Sequence, residues 1–494
     1  MKIIHDYPKI IALGFGLLLL CPDQGWAIPA FARMYGMACG ACHSAFPALN
    51  DAGEEFRLSG FRKYNGVELT PQVAPLKLGD RLELPGIIPF SLSTTAGFNS
   101  TRIDNTLGNG SKNANTEPDF KRQQSSFNLN EFKLLAGAPI GKQLSFFLDA
   151  PLTDVEARQF FDPEVRAHGV KFKQESGEAP YLAFIGYHNL FVPDLVNLKG
   201  GIIELPTAFS PSIHRLSFFP YLVYEATALD VISRKGIDDL VAVPGAAEET
   251  LESNQFRLSN GQIGLQLFGR ATPSFHHVSN LNVDYAIGLA NGNNINSDNN
   301  TTKDIFGRLA FSYKMGSATA VLGWFSYYSA NTLDSLTTNP DTGAGYRDKL
   351  QRHGPDFRFT LNEPTYVNLF AQMLFGKDSN ATGFGRQASW RGGFLQAEIK
   401  PRSQLVVYSR YDWIRGDRYD DTGVTINGVS GDIGPVEPKL WDVVAGAQYY
   451  LYDNFKLIAE FRHGQKDLGS VPADPEQLKK TVENAVFAGV RLVF

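Results

Sequence analysis

Cysteine is scarce in this chain, with three in 494 residues. One of them, Cys21, falls in an N-terminal stretch that has the marks of a leader, so a disulfide framework has almost nothing to build on. No apolar run after residue 27 is long enough to cross a bilayer as a helix. Positive charge is also in short supply. The formal net charge is −5, which excludes the broad basic surface that nucleic acid requires. Long helical periodicity is nearly absent beyond the first 76 residues, and neither a Ser/His/Asp arrangement nor a phosphate loop occurs. Hydrolytic chemistry therefore has no support.

Residues 1–27 read as a secretory signal. Lys2 and Lys9 precede the apolar run Ile10 to Leu20, and Gly25-Trp26-Ala27 supplies a small-x-small cleavage site. Leu20 stands where a lipoprotein signal needs a small residue before its cysteine, which argues against a lipid anchor at Cys21. Cleavage after Ala27 leaves two cysteines, both in one motif.

That motif is Cys39-Gly40-Ala41-Cys42-His43. Cys-x-x-Cys-His is the attachment pattern of a c-type haem. Two intervening residues let both thiols reach one porphyrin edge, and the next residue then falls under the iron as an axial ligand. The alternatives are a disulfide and a chance match; three cysteines in 494 residues argue against chance, and a thioredoxin-like redox pair belongs with a βαβ context that this sequence does not show. The expected cofactor is one covalently bound haem c, held by Cys39, Cys42 and His43. The segment 28–76 forms its domain. Phe46, Leu49, Gly53, Phe56 and Gly60 recur near helical spacing opposite Asn50, Asp51, Glu54 and Glu55, and Pro47 suits a first helical turn. A segment this short buries little core by itself, so the haem would serve as core and staple.

The distal iron ligand is not marked. No Met or His occurs between Ser44 and His168. Met34 and Met37 precede the motif, as ligands or as core against the porphyrin, and His188 falls near a periplasmic strand end.

Residues 77–494 read as a porin-like outer-membrane β-barrel. In the last strand Val486, Ala488, Val490, Leu492 and Phe494 face one way, and Glu483, Gly489 and Arg491 the other. Lipid outside and a polar lumen inside demand this period of two. Phe455, Leu457, Ala459 and Phe461 alternate likewise with Lys456, Ile458, Glu460 and Arg462. Sixteen strands are expected, starting near 86, 126, 143, 180, 197, 260, 277, 303, 317, 352, 363, 390, 403, 439, 454 and 482. Short turns alternate with long polar connections, among them 152–179, 209–259 and 416–438. Barrels of this type turn briefly in the periplasm and loop at length outside, so both termini are periplasmic. The expected fold is all-β, an antiparallel outer-membrane barrel with a small N-terminal helical haem domain. That placement puts His168, His214, His353 and His463 at the outer end, and His188, His276 and His277 near the inner one.

The run Ile28-Pro-Ala-Phe-Ala-Arg33, Gly36, Cys39-x-x-Cys42-His43, Pro47-Ala-Leu49, Gly53-x-x-Phe56 and Gly60-Phe61 resembles the head of the fused monohaem cytochrome–porins. That family includes the outer-membrane iron oxidases of ferrous-iron-oxidising bacteria. The chain departs from those oxidases at Met34-Tyr35 and at Glu54-Glu55. The resemblance implies an electron conduit that takes electrons from extracellular Fe(II), or another redox partner, and hands them to periplasmic c-type cytochromes. It leaves open the reverse flow to an outside acceptor, and a solute porin with a structural or sensory haem. The hydrocarbon core is about 30 Å thick, too far for one electron hop. The haem segment is therefore expected at least partly inside the lumen, among charges such as Arg410, Asp412, Glu460 and Arg491. The acidic connection bearing Asp417, Asp420, Asp421, Asp432 and Glu437 has the right atoms for a divalent cation, but at irregular spacing.

Overall fold

The computed structural model describes residues 29–78, 82–107, 121–155, 174–176, 181–209, 214–226, 256–273, 280–292, 294–295, 301–332, 347–379, 387–416, 419–421, 425–426, 429–430, 433–467 and 478–494. The leader at 1–27 and His168, His276, His277, Asp417 and Asp432 lie outside them.

Alternating strands close into one antiparallel barrel of sixteen. They are β1 (Phe90–Leu107), β2 (Lys121–Ile140), β3 (Leu144–Val155), β4 (Leu182–Tyr187), β5 (Asn197–Ile203), β6 (Gln262–Ala271), β7 (Leu281–Ala290) and β8 (Asp304–Met315), followed by β9 (Ala318–Thr332), β10 (Arg347–Leu361), β11 (Tyr366–Asp378), β12 (Ala388–Arg402), β13 (Leu405–Gly416), β14 (Lys439–Tyr452), β15 (Phe455–Asp467) and β16 (Leu478–Val493). β16 pairs with β1, with Val493 opposite Ser93 and Lys480 opposite Thr106. Each strand overlaps one expected from the sequence. Closure matters because an open edge would leave backbone donors and acceptors unpaired in lipid.

The two faces of the wall follow the pattern. Leu265, Ile287, Leu309, Trp324, Leu395, Tyr411 and Phe461 stand exposed on the outside, while Arg352, Arg410, Asp412, Asp442 and Glu460 are buried within. An exposed apolar band around a closed barrel is the surface of a protein of the bacterial outer membrane. Inside, the charges pair. Arg308 meets Asp356 at 2.6 Å, Arg352 meets Asp378 at 2.8 Å, and Arg462 meets Asp442 at 2.9 Å. Pairing is what makes such burial tolerable.

Among the described residues, two segments fill much of the lumen. The first is the N-terminal one, with α1 (Ala30–Tyr35), α2 (Cys39–Cys42) and α3 (Asp51–Leu58). Its contacts run round the ring. Ala30 N donates to Ser91 Oγ on β1, Thr319 Oγ1 on β9 donates to Asp51, Lys400 Nζ on β12 donates to Ser44 O, and Lys456 Nζ on β15 donates to Phe46 O. A segment touched from opposite sides of a closed wall lies within it. The helix α3 starts at Asp51, capped by Asn50, whose Oδ1 accepts from Gly53 N at 2.8 Å. Pro47 does not open that helix, contrary to the sequence expectation. It sits in the turn between the short strands His43–Ala45 and Ala48–Leu49.

The second filling is residues 214–226, and it corrects the sequence reading. The connection 209–259 was expected outside, yet this part folds inward, ending in α4 (Leu222–Glu225). Glu460 accepts from Phe218 N at 2.8 Å and from Ser217 Oγ at 2.8 Å, and Tyr408 donates to the same carboxylate. Arg410 donates to Phe219 O and Pro220 O at 3.1 and 2.7 Å, and Asp412 accepts from Leu222 N at 3.2 Å. Arg410, Asp412 and Glu460 thus grip this segment rather than the N-terminal one. His214 is likewise inside, buried against Glu54 of α3. Glu460→Ala is expected to lower stability by about 3 kcal/mol, because it strands several buried donors at once. Urea unfolding from lipid vesicles measures it, and an unchanged midpoint would contradict the contact set.

Candidate functional site

The motif Cys39–His43 is held as one helical turn followed by an extended residue. Asn50 ties it to α3, since its Nδ2 donates to Ala41 O at 2.9 Å and its backbone N to Cys42 O at 3.0 Å. Gly53 allows that approach, because a Cβ there would lie 2.1 Å from Cys42 O. The small residue is therefore required by packing between the helix and the motif.

Cys39, Cys42 and His43 all border one cavity of 470 Å³ in the lumen. That volume is within the roughly 300–1,000 Å³ of cofactor pockets. Phe31, Phe46, Phe56, Phe147, Leu216 and Phe218 supply much of its wall, and it extends toward Tyr181, Asn260 and Asn294, at the outer ends of β4, β6 and β7. The two thiols form no disulfide. Burial pushes the Cys42 thiol up to about 11, and Cys39 up as well, so neither is a reactive thiolate in the folded chain.

His43 Nδ1 lies 3.1 Å from Pro47 O. With the proton on Nδ1 and donated to that carbonyl, Nε2 keeps its lone pair, which is how a metal-ligating histidine is normally oriented. Burial lowers the imidazole to about 4, so it is neutral at ordinary pH and able to bind a metal. The residues present therefore fit a haem c: two thiols, a neutral oriented imidazole, an apolar wall for the porphyrin, and cations for its carboxylates.

The distal candidates separate. Met37 borders the cavity. Met34 is buried in the packing of α1, away from the cavity wall. His188 is also outside that wall, with Nε2 2.8 Å from Ser145 Oγ. Of the acidic connection, Glu437 pairs with Lys439 at 3.3 Å. Among the described residues no group of three or more His, Cys, Asp or Glu side chains could hold a metal ion.

Sequence reasoning missed the inward segment as part of the wall. Leu216, Phe218, Phe219, Tyr221, Leu222, Val223 and Tyr224 crowd into nine positions of a supposed outer loop. That apolar density was the signal.

The N-terminal segment is anchored at each residue that trypsin would seek. Arg33 donates to Phe90 O at 2.6 Å, Arg57 pairs with Glu54 and Glu204, Arg62 donates to Gly141 O at 3.1 Å, and Lys63 pairs with Asp194 at 2.6 Å. Lys77, 74% exposed, meets only Glu83 at 3.5 Å, itself on the surface. Limited trypsinolysis of the folded protein is expected to cut at Lys77 well before Arg57. Fast cleavage at Arg57, read by mass spectrometry, would contradict the lumenal placement.

No family model and no curated protein matches the chain. Among solved structures it is similar to an anion-selective porin from Comamonas acidovorans, at 12% identity and a TM-score of 0.43, covering 82% of this chain and 99% of that one. It is also similar to the outer-membrane protein OmpT of Vibrio cholerae, at 9% identity and a TM-score of 0.43, covering 85% and 100%. The outer-membrane channel DcaP of Acinetobacter baumannii gives 10% identity and a TM-score of 0.41, covering 84% and 100%.

Proposed function

We propose that this outer-membrane barrel is an electron conduit. One haem c, bonded through Cys39 and Cys42 and ligated by His43, would take electrons from extracellular Fe(II) and deliver them to periplasmic c-type cytochromes. The observation that carries the reading is the convergence of Cys39, Cys42 and the Nδ1-anchored His43 on one cavity inside the barrel. When bound, the haem supplies a one-electron iron couple. The protein's own part is positional. Asn50 and Gly53 fix the motif turn, Pro47 O orients the imidazole, and aromatic side chains line the site. The extension of the cavity toward Tyr181, Asn260 and Asn294 brings its far end to the outer ends of short strands, where an external donor arrives. Iron as that donor rests on the resemblance of the N-terminal motifs.

The reading from another class is a solute porin with a structural or sensory haem, which the sixteen-stranded barrel favours. The two lumenal fillings favour the conduit instead. Stopped-flow spectroscopy of the oxidised protein in detergent tests the choice of donor. Mixing with Fe²⁺ is expected to bring up the sharp reduced-haem bands rapidly. A haem that dithionite reduces and Fe²⁺ leaves oxidised would shift the reading to electron export or to the porin.

A further inference from the structure

Four cations border the cavity: Arg57, Lys133, Arg215 and Arg491. Three have carboxylate partners. Arg57 meets Glu54 and Glu204, Lys133 meets Asp149 at 3.2 Å, and Arg491 meets Glu131 at 2.8 Å. Arg215 has no hydrogen-bond or ion-pair partner among the described residues. The carboxylates whose charge reaches it are Glu225 and Glu131. Glu225 is engaged by Arg257 at 3.7 Å, and Glu131 by Arg491 and by Lys133 at 3.7 Å. Arg410 and Tyr221 are the other charged or titratable groups near it. A half-buried guanidinium at a lumenal cavity cannot shed its proton, so it calls for an anion.

Its backbone is fixed on both sides. His214 bonds Glu54 of α3, Leu216 O accepts from Gln448 at 2.8 Å, and Ser217 bonds Glu460. A cation held this firmly, facing a cavity bounded by the haem motif, is a recognition group awaiting a carboxylate.

We propose that Arg215, carried on the inward segment, is the partner of a haem propionate carboxylate. The inference rests on the haem reading above. It makes residues 214–226 part of the cofactor site rather than a passive seal, since burial of Arg215 is compensated once the carboxylate is in place. A positive charge at this cavity would favour the reduced form of a haem iron held there.

The test is the haem midpoint potential of the intact holoprotein, alongside Arg215→Gln and Arg215→Lys. Haem staining after denaturation confirms covalent attachment in each, and heat-modifiable migration confirms the folded barrel. Arg215→Gln is expected to shift the potential negative and to alter the propionate bending band in resonance Raman spectra, with Arg215→Lys restoring most of both. A Gln variant identical to wild type overturns the assignment while leaving the haem reading intact. Equal shifts in Lys and Gln also overturn it, because they follow the side chain and not its charge. A wild-type protein without covalent haem overturns the reading itself, and this assignment with it.

Discussion

Replacing Cys39 and Cys42 together by alanine is expected to give a folded barrel that carries no covalent haem. The two sulfurs are the sole points of attachment the motif offers, so removing both removes every thioether. The barrel is expected to survive the change. Its strands close through β16 with β1 and β3 with β4, and neither cysteine takes part in that ladder. Staining for haem after boiling in detergent should fall to background, while heat-modifiable migration persists. His43→Ala should behave differently. Attachment through sulfur remains, and the visible spectrum changes because the axial nitrogen is gone. Haem that stays on the chain in the double alanine variant would contradict the site.

Opening the lumen is the second large effect. A sixteen-stranded barrel leaves a water-filled channel unless something occupies it. Here the N-terminal segment and residues 214–226 do so, joined by the Glu54–His214 contact. The inward segment is packed by aromatic stacking as well as by its grip on the wall. Phe218 lies on Phe487 with ring centroids 4.5 Å apart, and Tyr221 on Phe394 at 4.3 Å. Arg410 sits 4.5 Å over the Tyr221 ring, held in turn by Asp412 at 2.5 Å. Exchanging residues 216–224 for a short Gly-Ser linker removes these contacts and leaves a hydrated path beside the N-terminal segment. Planar-bilayer conductance is expected to rise by about ten-fold or more over wild type. Equal conductance in the two proteins would mean that the inward segment does not limit the channel.

The barrel was legible because lipid and lumen impose opposite demands on alternate residues. The pattern in Phe455 to Arg462 needs no partner to be interpreted, and the structure exposes Leu457 and Phe461 while burying Lys456, Glu460 and Arg462. The Cys39–His43 motif stands out because its spacing is read without any partner, and the structure brings its three side chains to one cavity. The inward segment is not legible in this way, because the length of a connection indicates its side of the membrane and says nothing about burial. Glu460, Arg410 and Asp412 were recognised as lumen charges, but a charge on a strand does not disclose which segment it will face. Their contacts with Phe218, Phe219 and Leu222 are set by tertiary packing. The start of α3 shows the same limit on a smaller scale. Pro47 is compatible with a first helical turn, yet Asn50 competes for the cap and wins, since its side chain satisfies Gly53 N while also holding the motif turn.

As a conduit, this chain would carry electrons across the membrane. The direct measurement uses liposomes that contain the protein and enclose an oxidised soluble c-type cytochrome. Fe²⁺ is added outside, with an iron chelator trapped within to hold any metal that leaks. The conduit predicts that the enclosed cytochrome becomes reduced, and that this stops in the Cys39/Cys42 double alanine variant. An enclosed cytochrome that stays oxidised with the wild-type protein, while reductants small enough to diffuse through a pore do reduce it, would contradict the account and leave a porin.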